Sequence, residues 1–87
     1  MLFIIYIIIM WHEITINAET AGQKLDAMVA LINWMADTGK GCRLSVDAAP
    51  NHDLTVSFWD EDEYTPERWR RMLDESYVLD GYEYEIK

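Results

Sequence analysis

The 87-residue chain has one cysteine, two prolines, four glycines and only seven basic residues. A lone Cys42 excludes an intramolecular disulfide, so the fold does not depend on an oxidising compartment. A structural zinc site takes about four ligands. Cys42, His12 and His52 are the only thiol or imidazole groups and stand far apart, so no metal and no cofactor are expected. Seven bases against 16 acids leave a formal net charge of −9. DNA, RNA and anionic membranes would repel such a chain, which excludes direct nucleic-acid binding. The longest apolar run, residues 1–11, falls short of the roughly 20 residues a membrane helix needs. It also has neither the basic start nor the small-residue end of a signal peptide. The expectation is no membrane span and a cytoplasmic location, in the host cell if the chain is phage-encoded.

Catalytic signatures are missing as well: no GxSxG elbow, no GxxxxGK[ST] loop and no HExxH helix. Ser45, Ser57, Ser76 and Cys42 are possible nucleophiles, and His12 and His52 possible bases, but no spacing joins them. His52, between Asn51 and Asp53, reads as a solvated turn residue, and His12 as a strand-edge residue. The chain is therefore expected not to be an enzyme; His52 with Asp53 is the one pair worth testing.

What is present is ample apolar material. Hydrophobic residues make up 51% and aromatics 13%, which excludes a disordered chain. Met1 to Trp11 carry no charge and read as an extension or arm on a domain spanning 12–87, able to bury itself on a second copy as a homodimer; alternatively Met10 is the start of the domain. Ile14, Ile16 and Ala18 alternate as a half-buried strand. Thr20 and Gln23 form a capping-box pair. Leu25, Met28, Val29, Ile32, Met35 and Ala36 follow as one helical stripe, which Gly39 and Gly41 end. Cys42, Leu44 and Val46, then Leu54, Val56 and Phe58, alternate on either side of the turn 48–53, a hairpin. Thr65-Pro66 starts a second helix with Trp69, Met72 and Leu73 inward, and Tyr82–Ile86 alternates as a last strand. The order βαββαβ predicts an α+β fold: a two-layer ferredoxin-like sandwich with an antiparallel sheet and two helices on one face.

The acids are unevenly placed. Residues 1–50 hold five acids and three bases; residues 51–87 hold eleven acids and four bases. After Asp53, the second group runs Asp60-Glu61-Asp62-Glu63, then Glu67, Asp74, Glu75, Asp80, Glu83 and Glu85. Contiguous acids without a glycine do not match an EF-hand loop. Asp60–Glu63 would be a solvated loop at the start of the second helix, complementing its dipole. The functional reading is a charge mimic. Carboxylates on a loop, a helix and an edge strand imitate the charge density of duplex DNA and occupy the site of a basic protein or nucleoprotein complex. Trp59, Tyr64, Tyr82 and Tyr84 lie among them, and of these Trp59, Tyr64 and Tyr82 join Asp60, Glu61, Asp62, Glu63, Asp74, Glu75, Asp80, Glu83 and Glu85 as the expected partner-binding residues. Arg68, Arg70 and Arg71 make the middle of the second helix basic, at spacings that allow ion pairs with Glu67, Asp74 and Glu75.

The strand Glu13–Ile16 with its capped helix, the hairpin Leu44–Val56 and the helix starting near Thr65 resemble the DinI-like family of small acidic regulators, over roughly residues 12–76. That resemblance implies binding to the RecA recombinase through a negatively charged ridge on the second helix. In charge and length the chain is also similar to phage-encoded anti-restriction and anti-CRISPR inhibitors and to toxin immunity proteins. The expected function is a non-enzymatic inhibitor of a nucleic-acid-handling protein; the alternative is an assembly or immunity protein acting through the apolar arm or the acidic surface.

Overall fold

The computed structural model describes residues 11–39 and 43–87. The apolar segment up to Met10, and Lys40, Gly41 and Cys42, lie outside them. The elements are β1 (Trp11–Asn17), α1 (Ala21–Asp37), β2 (Leu44–Asp47), β3 (Leu54–Trp59), α2 (Pro66–Ser76) and β4 (Glu83–Ile86). The sheet order is β2-β3-β1-β4, with every neighbouring pair antiparallel. This is the expected ferredoxin-like βαββαβ sandwich. No helix among the described residues is long and apolar enough to cross a membrane.

The local signals act as their chemistry requires. The Thr20 hydroxyl accepts from the Gln23 amide at 3.1 Å, and the Gln23 side chain accepts from the amides of Thr20 and Glu19. This is the reciprocal capping box, which satisfies the Gln23 amide of the first turn and the N-cap amide before it. Thr65 accepts from the Arg68 amide at 3.2 Å, and Pro66 supplies a fixed φ where no N–H is needed. Gly81 turns the chain into β4 at φ 88°, a left-handed conformation that side chains with a Cβ avoid.

Alternation sends Ile14 and Ile16 of β1 and Leu54, Val56 and Phe58 of β3 inward, all with no exposed surface. They meet Ala27, Leu31 and Met35 of α1, Trp69 and Leu73 of α2, and Leu79. The inward line of α1 differs from the expected one. Leu25 and Val29 are exposed and Ile32 is half-buried, while Lys24, Ala27, Leu31 and Met35 face the sheet. Two contacts set this rotation. Trp34 meets Trp69 edge-on at 6.1 Å on the α2 side. At the other end, the Lys24 ammonium donates to the carbonyls of Ala49, Pro50 and His52, holding the β2–β3 loop against the helix. An apolar ridge that periodicity assigns to the core is left on the outer flank.

Candidate functional site

Both helices lie on one face of the sheet; among the described residues no element covers the other, open face, and strand parity decides what it displays. The register sets its rows. Glu83 lies opposite Asn17; Glu85 opposite Thr15, which faces Thr55, which faces Asp47. Glu13 lies between Lys87 and Ser57, with Ser45 beyond. Trp11 faces Trp59, which faces Arg43. Asp53 borders the same hollow as Thr15, Asn17, Glu83 and Glu85. The face thus carries five carboxylates, Glu13, Asp47, Asp53, Glu83 and Glu85, with Arg43 and Lys87 as its marginal cations. Among the described residues, none of the five forms an ion pair with lysine or arginine. Trp11 and Trp59 close one end, their rings edge to face at 5.6 Å, with the Arg43 guanidinium 5.5 Å from the Trp59 ring.

The expected partner-binding residues divide. Trp59, Glu83 and Glu85 lie on this open face. Glu61, Asp62 and Glu63 are exposed at its tryptophan end, where Glu63 and Tyr64 share a shallow groove with Trp11 and Lys87. Asp80 is exposed and Tyr82 half-buried at the opposite end, and the Tyr82 hydroxyl donates to the Gln23 carbonyl. Asp74 and Glu75 belong to α2, in the layer on the far side of the sheet, so one flat partner cannot meet them and Glu83 together. The solvent-exposed residues of α2 include Glu67, Asp74 and Glu75 but also Arg68, Arg70 and Arg71, a balanced surface and not an acidic ridge. Among the described residues the expected helical ion pairs do not form either. Arg68 lies 3.9 Å above the Tyr64 ring and Arg70 lies 4.9 Å from the Tyr84 ring.

Asp60 departs furthest from expectation. It has no exposed surface and offers nothing to a partner. Its Oδ1 accepts from the Asp62 amide at 2.9 Å. Its Oδ2 accepts from the Tyr64 amide at 2.7 Å and the Trp69 indole Nε1 at 2.8 Å, and lies 3.0 Å from His12 Nε2. The other ring nitrogen of His12, Nδ1, lies 3.0 Å from the main-chain oxygen of Lys87. Both nitrogens of His12 therefore face oxygen atoms. His12 is not a strand-edge group: it stands on a central strand with 4% of its surface exposed.

Neither nitrogen of His12 offers a free lone pair. His52 pairs through Nδ1 with Asp47 at 3.0 Å, not with Asp53, and both partners are more than half exposed. No serine or threonine hydroxyl among the described residues bonds either imidazole, and no group of three His, Cys, Asp or Glu among them could hold a metal ion.

Two groups have displaced titrations. The Ala49 amide, then His52, hold the Asp47 carboxyl below the usual carboxylate range. Partial burial, then the hydrogen bond to Asp74, push the Tyr84 phenol from its ordinary value of 10.0 to about 12. The neutral phenol is thus the form the fold favours. Its contribution is complete below pH 10 and is lost as pH rises through about 12. A tyrosinate absorbance titration is expected to show a late component that vanishes in Tyr84→Phe.

In comparisons with known proteins, the chain matches no family model, and neither a curated protein nor a solved structure matches it significantly.

Proposed function

We propose that the protein is a non-enzymatic binding protein that docks its open sheet face on a basic, nucleic-acid-handling protein or complex, in the place of a polyanion. The observation that carries this reading is the gathering of Glu13, Asp47, Asp53, Glu83 and Glu85 on one face where, among the described residues, none is ion-paired with lysine or arginine and only Asp47 has a partner, the exposed His52. Neighbouring strands lie about 4.8 Å apart and same-face residues about 6.6 Å apart along a strand. Glu83 and Glu85 stand one such step apart on β4, Glu13 lies diagonally from Glu85, and Asp47 stands three strands away across Thr15 and Thr55, so the face carries a net negative field whose backbone positions the ladder fixes. Trp11 and Trp59 at the end of the face supply flat aromatic area next to it, as anchoring residues do at interfaces. The resemblance to DinI-like regulators and the analogy with phage-encoded inhibitors agree with this class of partner, with the sheet face taking the role that the second helix has in the former.

The test is affinity capture from lysate with quantitative mass spectrometry, using three proteins. The unaltered chain is expected to retain basic nucleic-acid-binding proteins, which duplex DNA or raised salt displaces. Glu83→Lys with Glu85→Lys is expected to lower that retention by about tenfold or more. Asp74→Lys with Glu75→Lys, on the helix layer, should leave it unchanged. Retention that survives the sheet-face reversal, or that DNA does not compete, overturns the reading.

A further inference from the structure

One edge of the sheet is built to continue. β2 is a terminal strand, and its parity follows from a single bond: the Trp59 amide donates to the Arg43 carbonyl at 3.1 Å, directly opposite in register. Antiparallel ladders alternate, so Arg43, Ser45 and Asp47 turn their main-chain groups toward β3, while Leu44 and Val46 turn theirs outward. Among the described residues nothing outside β2 and β3 bonds to Leu44 or Val46. The strand has neither proline nor lysine, the usual guards of an exposed edge. The other edge differs: two-fold pairing of β4 centred on Tyr84 or Glu85 opposes glutamate to glutamate.

Beside the β2 edge runs the misplaced ridge of α1. Leu25 is 55% exposed, Val29 46% and Val46 of the strand 38%. Leu25 and Met28 line a mostly apolar groove of about 310 Å³ that Ala48 and Pro50, just past β2, complete. Trp34, on the opposite flank of α1, meets α2, so the Leu25–Val29 ridge faces away from α2, toward the β2 side.

We propose that a second copy of this chain occupies this edge, pairing β2 with β2 antiparallel about a two-fold axis at Ser45. The sequence of the strand selects that partner and register. With Ser45 opposite Ser45, Leu44 meets Val46 through their outward main-chain groups, giving four hydrogen bonds. On the open face, Arg43 then stands opposite Asp47, twice. Moving the axis to Val46 opposes Leu44 to Ala48 and loses both charge pairs. The held-down titration of Asp47 keeps its charge available. On the helix side the two α1 ridges approach across the junction and cover Leu25, Val29 and Val46, as an isologous interface requires. The result is an eight-stranded sheet with four helices on one face.

The register makes the test specific. A Ser45 pair of this kind puts the Cα atoms about 4.5 Å apart, within the range a disulfide spans. In a Cys42→Ser background, Ser45→Cys is expected to give a disulfide-linked dimer under mild oxidation, while Glu75→Cys on α2 stays monomeric. By analytical ultracentrifugation, Arg43→Glu is expected to weaken the dimer by about tenfold or more, as like charges oppose across the junction. Adding Asp47→Lys to Arg43→Glu should restore it. Val29→Glu, at an exposed position that leaves the monomer folded, should dissociate it independently. A chain that stays monomeric from micromolar to near-millimolar concentration overturns the proposal. So does a Ser45→Cys protein that cross-links no faster than Glu75→Cys, or an Arg43→Glu defect that Asp47→Lys does not repair.

Discussion

Asp60→Ala is expected to lose about 3–5 kcal/mol of stability, the usual cost of removing one member of a buried ion pair. Glu61→Ala, one residue on, should change it by less than about 0.5 kcal/mol. The contrast follows from burial: Asp60 is fully enclosed, and Glu61 is exposed. Truncating Asp60 removes at once the carboxylate that meets the Trp69 indole N–H, the Tyr64 and Asp62 amides and His12 Nε2. It also leaves the buried His12 ring without its carboxylate partner. A domain of this length has roughly 4–13 kcal/mol in total, so the variant should be largely unfolded at mild denaturant. Asp60→Asn should fall between the two, because its amide keeps one acceptor oxygen but points an NH₂ at groups that are themselves donors. Denaturant unfolding followed by far-ultraviolet circular dichroism measures all three. A loss below about 1 kcal/mol for Asp60→Ala would show that the network contributes little.

The acidic run 60–63 shows why composition misleads where parity does not. Read as four contiguous carboxylates, it is a solvated loop. Read by strand alternation, Leu54, Val56, Phe58 and Asp60 all point the same way, and so do His12, Ile14 and Ile16. Both polar residues fall on the core face, at the same end of adjacent strands, because His12 is opposite Phe58. The partnership was therefore present in the spacing, and a buried acid needs a donor such as a histidine or an indole. The capping residues at Thr20 and Thr65 and the six-residue hairpin loop were legible because a few neighbouring residues decide them. The rotation of α1 was not. Leu25, Val29, Ile32 and Ala36 make as good a stripe as Ala27, Leu31 and Met35, and the choice rests on Trp34 meeting Trp69 and Lys24 meeting the β2–β3 loop, contacts distant in sequence. The split of charge at residue 50 was similarly too coarse. Glu13, Asp47 and Asp53 join Glu83 and Glu85 on one face because β1 is central and takes both β3 and β4 as neighbours.

The two proposals meet in the sheet. Pairing at β2 would set two open faces in line, eight strands spaced about 4.8 Å apart, with Asp47 of each copy matched to Arg43 of the other. That match cancels the only carboxylate on β2 and leaves Glu13, Asp53, Glu83 and Glu85 of each copy unmatched. The acidic field of a dimer would then lie in two lobes flanking a neutral seam. A partner engaging both lobes would gain from the second contact through effective concentration, without any new chemistry. Losing the seam would weaken capture while each monomer face stays intact. Arg43→Glu with Asp47→Lys should therefore recover capture together with dimerisation.

Trp69→Ala is expected to cost about 3–5 kcal/mol, comparable to the loss at Asp60 but for a different reason. Trp69 is completely buried where both helices and β3 converge. Its ring stands edge-on to Phe58 at 4.8 Å and lies 5.8 Å from Tyr64, 6.1 Å from Trp34 and 6.1 Å from His12. Alanine would leave a cavity that four aromatic neighbours cannot collapse into without leaving their own rotamers. Trp69→Phe separates packing from polarity: it keeps much of the ring volume but removes the Nε1–H donated to Asp60. The expected loss is about 1–3 kcal/mol, as for an unsatisfied buried acceptor. The two sites act as one unit, so their effects should not add. In a double-mutant cycle, Trp69→Phe with Asp60→Asn is expected to show a coupling of about 0.5–3 kcal/mol. Additive losses would mean that the indole is packing material alone, and that His12 and the two amides suffice to hold the carboxylate in the core.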